Sequence, residues 1–158
     1  MISTRSNTGP PKRVLAVASA GGHWQQLMAL RSAVANCDVL FATTLKELPE
    51  EFDAKPFIII PDCNRNALWL GPWAAIVILF HILRFRPDAV ISTGALPGLL
   101  ALGVARVLRV RTVWIDSIAN AEEMSMSGKL ARRVADLRLS QWKHVADAEG
   151  ADYMGAII

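Results

Sequence analysis

A chain of 158 residues has room for one domain of ordinary size and not for two. Its formal net charge of +3 is scattered over small local groups, which excludes a nucleic-acid face built on charge density. Two cysteines, Cys37 and Cys63, supply neither a zinc set nor a disulfide framework.

Residues 1–12 are polar, contain Gly9-Pro10-Pro11 and read as a loose tail with no secretory signal, which points to the cytoplasm. Residues 13–158 read as a single domain. Val14–Val17 is an apolar run long enough for a buried strand, and Ser19, Ala20, Gly21 and Gly22 break it. From His23 the apolar spacing turns helical, with Leu27, Leu30 and Val34 on one face. Strand, glycine turn and helix suit a phosphate: glycines admit close backbone approach, and the helix start offers unpaired N–H groups. His23 stands at that start, where the dipole favours a neutral ring able to accept a proton. The alternative is a tight turn with a helix-capping histidine. The spacing is not GxGxxG, and the next strand, Asp38–Ala42, ends in Thr43-Thr44 where a ribose-binding acid would stand.

Leu45–Lys55 is a charged connection with Pro49 starting a short helix. Phe57–Ile60 is a third strand closed by Pro61, and Asp62–Asn66 is a polar loop. Leu68–Phe85, LWLGPWAAIVILFHILRF, is the most apolar stretch in the chain. It falls short of the ~20 residues that span a bilayer and holds Gly71-Pro72, so spanning is the least favoured of three readings. From Pro72 it reads as a helix apolar nearly all round. It is either buried on one face of a sheet or partly submerged in a membrane surface. In the second case Trp69 and Trp73 lie at the interface, and Arg84 and Arg86 reach phosphates.

Pro87-Asp88 ends that helix, and Ala89–Ser92 is a fourth strand with Ser92-Thr93-Gly94 at its end. Pro97 opens a helix over Gly98–Leu108. Arg111–Ile115 is a fifth strand leading into Asp116-Ser117; Ser125–Val134 reads as helix and Leu137–Ser140 as a sixth strand, followed by Gln141-Trp142. Lys143–Asp152 is polar. Tyr153–Ile158 is a short apolar tail that either docks on a partner through Tyr153, Ile157 and Ile158 or returns as a seventh strand. Strands alternating with helices predict an α/β fold, a Rossmann-like, doubly wound, mostly parallel sheet with ligands beyond the carboxyl ends of its strands. Three strand ends carry polar or glycine residues, namely Ser19 to His23, Ser92 to Gly94 and Asp116 to Asn120, and together they predict a ligand crevice. The sequence contains no metal-ligand spacing, Walker loop or nucleophile elbow.

Ser19-Ala20-Gly21-Gly22-His23, Ile91-Ser92-Thr93-Gly94, Trp114-Ile115-Asp116-Ser117, Ser127-Gly128-Lys129-Leu130 and Gln141-Trp142 occur in that order. With them, the chain resembles the small, membrane-associated, acceptor-side subunit of split GT-B glycosyltransferases. That family includes a subunit of the eukaryotic UDP-GlcNAc transferase of lipid-linked oligosaccharide synthesis, and bacterial relatives in capsule and exopolysaccharide assembly. More distantly, the chain is similar to the N-terminal half of the peptidoglycan GlcNAc transferase MurG.

The resemblance implies the N-terminal half of a GT-B fold, active only with a second glycosyltransferase subunit that carries the donor site. The co-substrate is then a nucleotide sugar, a UDP-sugar, with no covalently bound cofactor, and the acceptor is a lipid-linked sugar. The protein would be peripheral on the inner face of the cytoplasmic membrane. His23 becomes the general base. Ser19, Gly21, Gly22, Ser92, Thr93, Gly94, Asp116, Ser117 and Asn120 become the acceptor- and diphosphate-binding set, with backbone donors at Gly21, Gly22 and Gly94. Many relatives carry Glu at the position of Asp116 and Pro at that of Lys143. The eukaryotic relatives also begin with a transmembrane anchor that this sequence does not show, which leaves Leu68–Phe85 as the membrane contact. A rival reading is a non-catalytic scaffold that recruits a catalytic partner to the membrane. A nucleotide-binding oxidoreductase is disfavoured by the missing fingerprint.

Overall fold

β1, Arg13–Val17, is the central strand because it has apolar neighbours on both of its faces. Alternation along the strand sends Leu15 and Val17 into one buried cluster, and Ala16, with Ala18 just beyond, into the other. These positions come from a computed structural model that describes residues 9–157. The first eight residues of the expected tail, and Ile158, lie outside the described residues.

After β1 come α1 (Gly22–Ala29), β2 (Asp38–Thr43), α2 (Glu47–Glu51), β3 (Phe57–Ile59) and α3 (Gly71–Phe85). The second half contains β4 (Ala89–Ser92), α4 (Ala95–Val107), β5 (Arg111–Ile115), α5 (Met126–Ala131), β6 (Leu137–Leu139) and α6 (Lys143–Glu149). Among the described residues six strands form one parallel sheet in the order β3-β2-β1-β4-β5-β6. This is the expected Rossmann-like architecture. α3, α4 and α5 cover one face, where Ile78, Ile82, Leu102 and Ala131 join the cluster of Leu15, Val17 and Trp114. α1 covers the other, with Trp24, Leu27 and Met28 against Ala16 and Phe41. From β1 the chain winds outward to β2 and β3, then crosses back through α3 to β4. The loops after β1 and β4 therefore diverge to opposite faces and open a crevice between them.

Several boundaries differ from expectation for local reasons. The helix expected from His23 through Val34 stops at Ala29, and Leu30–Val34 tightens into a 3-10 turn. α4 begins at Ala95, so Pro97 is its third residue rather than its first. The missing N–H costs nothing there, since the first N–H groups of a helix have no intrahelical partner. Ser125 caps α5, its hydroxyl accepting from the Gly128 N–H at 2.9 Å, and the helix ends at Ala131 instead of Val134. α6 occupies part of the stretch expected only to be polar, and it buries just Val145 and Ala146.

α3 presents two apolar stripes. Ala74, Ile78 and Ile82, each four residues apart, are buried against the domain. Trp73, Ile76, Phe80 and Leu83, continued by Trp69 on the 3-10 turn Leu68–Leu70 just before the helix, follow one another at spacings of four and three and are 56–77% exposed. Contrary to the expectation that it falls short of a span, Leu68–Phe85, one continuous helical run of 18 residues at mean hydropathy 1.7, is long and apolar enough to cross a membrane by length and composition. Its buried stripe nevertheless holds it to the surface of the sheet.

Candidate functional site at the β1–β4 crevice

His23 and Thr93 tie the two diverging loops together. His23 Nδ1 lies 3.0 Å from the Thr93 carbonyl oxygen, and Thr93 Oγ1 donates to the His23 carbonyl at 2.7 Å. A carbonyl oxygen can only accept. In a neutral imidazole this contact assigns the proton to Nδ1 and leaves the lone pair on Nε2.

The ring lies across Gly94, whose φ of +140° and ψ of −178° fall in a region that glycine alone populates. A Cβ there would stand 2.3 Å from His23 Nδ1. On the other side of the crevice Gly21, at φ +74°, turns the chain into α1, and a Cβ on Gly21 or Gly22 would meet no atom within 4 Å. The space above these two residues is open, beside a half-buried His23.

Other expected ligands are turned inward. Ser92 and Thr93 are fully buried. The Gly94 N–H, expected to hold a diphosphate, instead donates to Ser92 Oγ at 3.2 Å. That donor is spent within its own loop, and what Gly94 supplies is room for the imidazole. Ser19 is half-buried, with its hydroxyl 3.5 Å from the Ala20 carbonyl.

The strand end after β5 is built differently. Asp116, 1% exposed, accepts from Trp114 Nε1 at 3.1 Å, Asn120 Nδ2 at 3.0 Å, the Ser125 N–H at 2.9 Å and Ser125 Oγ at 2.5 Å. An ionised carboxylate has about four acceptor sites, and all are taken. Asp116 therefore pins the following loop to the cap of α5 rather than facing a ligand, and Asn120 is committed to it. Ser117 is buried, its Oγ accepting from Gln26 Nε2 at 2.9 Å and the Ala119 N–H at 3.2 Å. Among the described residues no group of three His, Cys, Asp or Glu could hold a metal.

The four expected membrane residues divide between the ends of α3, which is about 22 Å long. Trp69 and Trp73 lie at its start, toward the crevice rim. Arg84 and Arg86 lie at its end, near Arg13, whose Nη1 donates to the Phe85 carbonyl at 3.1 Å. A hollow of about 440 Å³ there is lined by Arg13, Asp38, His81 and Arg84 over Leu40, Ile58 and Phe85. Burial, and secondly the Arg84 charge, push the His81 imidazole below its ordinary value.

In the tail, Asp152 forms a single parallel bridge to Leu139 rather than a seventh strand. Tyr153 and Met154 are exposed, and the Ile157 N–H then returns to Gln141 Oε1 at 2.8 Å. Sequence reasoning gave no role to Gln26 or Gln141, whose side chains meet at 2.9 Å. It also gave none to Trp142, whose Nε1 donates to the Ile118 carbonyl at 2.7 Å. The one sequence signal was Gln141-Trp142 itself, and nothing in it pointed to residue 26.

A family model described as "Oligosaccharide biosynthesis protein Alg14 like" matches residues 68–157. The chain is 25% identical over 185 residues to the UDP-N-acetylglucosamine transferase subunit ALG14 of Mus musculus, covering 92% of this chain and 83% of that protein. It is 24% identical over 180 residues to the protein of the same name from Homo sapiens, covering 92% and 82%. Among solved structures it superimposes on MurG of Acinetobacter baumannii with a TM-score of 0.73 at 18% identity, covering 85% of this chain and 43% of that one. A UDP-N-acetylglucosamine 2-epimerase from Rickettsia bellii gives a TM-score of 0.70 at 14% identity, covering 94% and 46%. The chain thus spans less than half the length of these two solved proteins, and at such identities the likeness establishes the fold alone.

Proposed function

The chain belongs to the Alg14-like family of oligosaccharide biosynthesis proteins, and on that footing we propose that it is the acceptor-side subunit of a two-component glycosyltransferase. The second subunit carries the donor site. The acceptor is a lipid-linked sugar and the donor a UDP-sugar, for which the mammalian relatives, named as UDP-N-acetylglucosamine transferase subunits, support UDP-N-acetylglucosamine. The observation that carries the reading is the His23–Thr93 contact, which in a neutral ring leaves Nε2 as a proton acceptor, on the residue that directly follows the open backbone of Gly21-Gly22.

In the reaction, an acceptor hydroxyl oxygen bonds to the anomeric carbon of the donor as the bond from that carbon to the phosphate oxygen breaks. The nucleoside diphosphate leaves, and the hydroxyl proton passes to His23 Nε2. The open turn at Gly21-Gly22 and the first-turn N–H groups of α1 hold the acceptor diphosphate. His23→Ala should lower transfer from UDP-GlcNAc into the lipid fraction by roughly 10²-fold, with folding and partner binding retained. The assay uses the chain co-expressed with its second subunit. Near-normal turnover would favour the rival, a scaffold that only recruits the partner.

The exposed stripe of α3 supports peripheral attachment to the cytoplasmic face of a membrane, lying along the surface with tryptophans at one end and arginines at the other. Replacing Trp69, Trp73, Arg84 and Arg86 together should release the protein from anionic vesicles, and salt should weaken wild-type binding. A wild-type protein that ignores such vesicles would rule this attachment out. The exposure of Tyr153 and Met154 supports the tail as the docking site of the second subunit.

A further inference from the structure

We propose that Gln141 is a positioning residue, which ties the C-terminal segment to α1 and so holds His23 against Thr93. The inference rests on the reading of His23 as proton acceptor. Gln141 is 4% exposed, with both amide hydrogens and the amide oxygen engaged. Nε2 donates to Gln26 Oε1 and to the Asp116 carbonyl, both at 2.9 Å, and Oε1 accepts from the Ile157 N–H at 2.8 Å. Gln26 extends the connection: its Oε1 also takes the Ile118 N–H at 3.3 Å, and its Nε2 donates to Ser117 Oγ at 2.9 Å. The partners fix the orientation of the Gln141 amide, because flipping it would set its oxygen against two acceptors and its NH2 group against an N–H. Side chains 115 residues apart in sequence thereby join the tail, the loop after β5 and α1, at a point three residues beyond His23.

α1 needs such support. It has eight residues, no side-chain cap on its first turn, and a 3-10 turn directly after it. A helix that short is held by its tertiary contacts rather than by its own hydrogen bonds. Thr93 grips its first turn from the β4 loop, and Gln141 grips it through Gln26. Tyr153 and Met154 lie between Asp152, fixed beside β6, and Ile157, fixed to Gln141. A second subunit seated on those two side chains therefore bears on the same bond that steadies α1. Docking of the partner and placement of the base are coupled through one buried amide.

Two variants separate the links. Gln141→Glu keeps an acceptor for Ile157 but sets carboxylate oxygens against Gln26 Oε1 and the Asp116 carbonyl. Ile157→Pro removes the N–H that the Gln141 oxygen accepts, and also fixes φ at that position and replaces the isoleucine side chain. In hydrogen–deuterium exchange on the full chain alone, both variants should speed exchange about 3- to 10-fold in residues 22–29 and 116–121, with α3 and α4 unchanged. A change confined to residues 152–157, or an even rise over the whole chain, would overturn the proposal. With the second subunit saturating, kcat should fall by a similar factor while the KM for UDP-GlcNAc moves less than about 2-fold; an unchanged kcat would also overturn it. A wild-type pair that transfers nothing counts against the transferase reading alone, and the exchange result then decides the linkage.

Discussion

Two polar clusters on the same rim of the sheet, one around His23 and one around Asp116, differ in what they leave unspent. Around Asp116 every acceptor site of the carboxylate is filled from within, by Trp114, Asn120 and Ser125. Around His23, Nδ1 is bound while Nε2 has no hydrogen-bond partner among the described residues, and Gly21 and Gly22 carry nothing over them. A buried, saturated cluster holds a loop in shape, since its cost in desolvation is offset only by its own hydrogen bonds. A half-saturated cluster at an open edge has valence left for a substrate. The first frames the crevice, and the second is where the proposed proton transfer would take place.

Asp116→Ala presses hardest on this contrast. It strips the acceptor from several buried donors and should cost about 3–5 kcal/mol of stability in urea denaturation. His23→Ala should do the opposite, leaving stability within about 1 kcal/mol while turnover collapses. Comparable stability losses from the two substitutions would erase the distinction. Gly94→Ala lies between them and touches both properties. An alanine at φ +140° overlaps the His23 ring, so a loss of about 1–3 kcal/mol should accompany a displaced imidazole and reduced transfer. A variant with normal stability and normal turnover would show that the ring does not depend on that close approach.

The sheet was legible in the sequence because each strand is a short apolar run closed by a turn signal, as at Phe57–Ile59 before Pro61 or Ala89–Ser92 before Gly94. The crevice followed from the alternation of strands and helices. What the sequence could not separate was Asp116 from His23, since both are polar residues just past a strand. Saturation is a property of partners: Asp116 draws on Ser125, nine residues away, and His23 on Thr93, 70 residues away. Gln26 and Gln141 were invisible for the same reason. α6 escaped notice because an apolar face of two residues, Val145 and Ala146, leaves almost no periodicity to read. α3 was legible as a helix, but only its packing could tell which apolar stripe is covered.

The central claim is that Thr93 holds the proton of His23 on Nδ1 and leaves Nε2 to accept another. It can be read directly by nitrogen-15 NMR of the full chain with labelled histidines, using His23→Ala to assign its signal among the three histidines of the sequence. In the neutral ring the account predicts a protonated Nδ1 and an Nε2 resonance typical of a free lone pair. A neutral ring protonated at Nε2 would contradict it, because that tautomer cannot donate from Nδ1 to the Thr93 carbonyl and sets its lone pair against it.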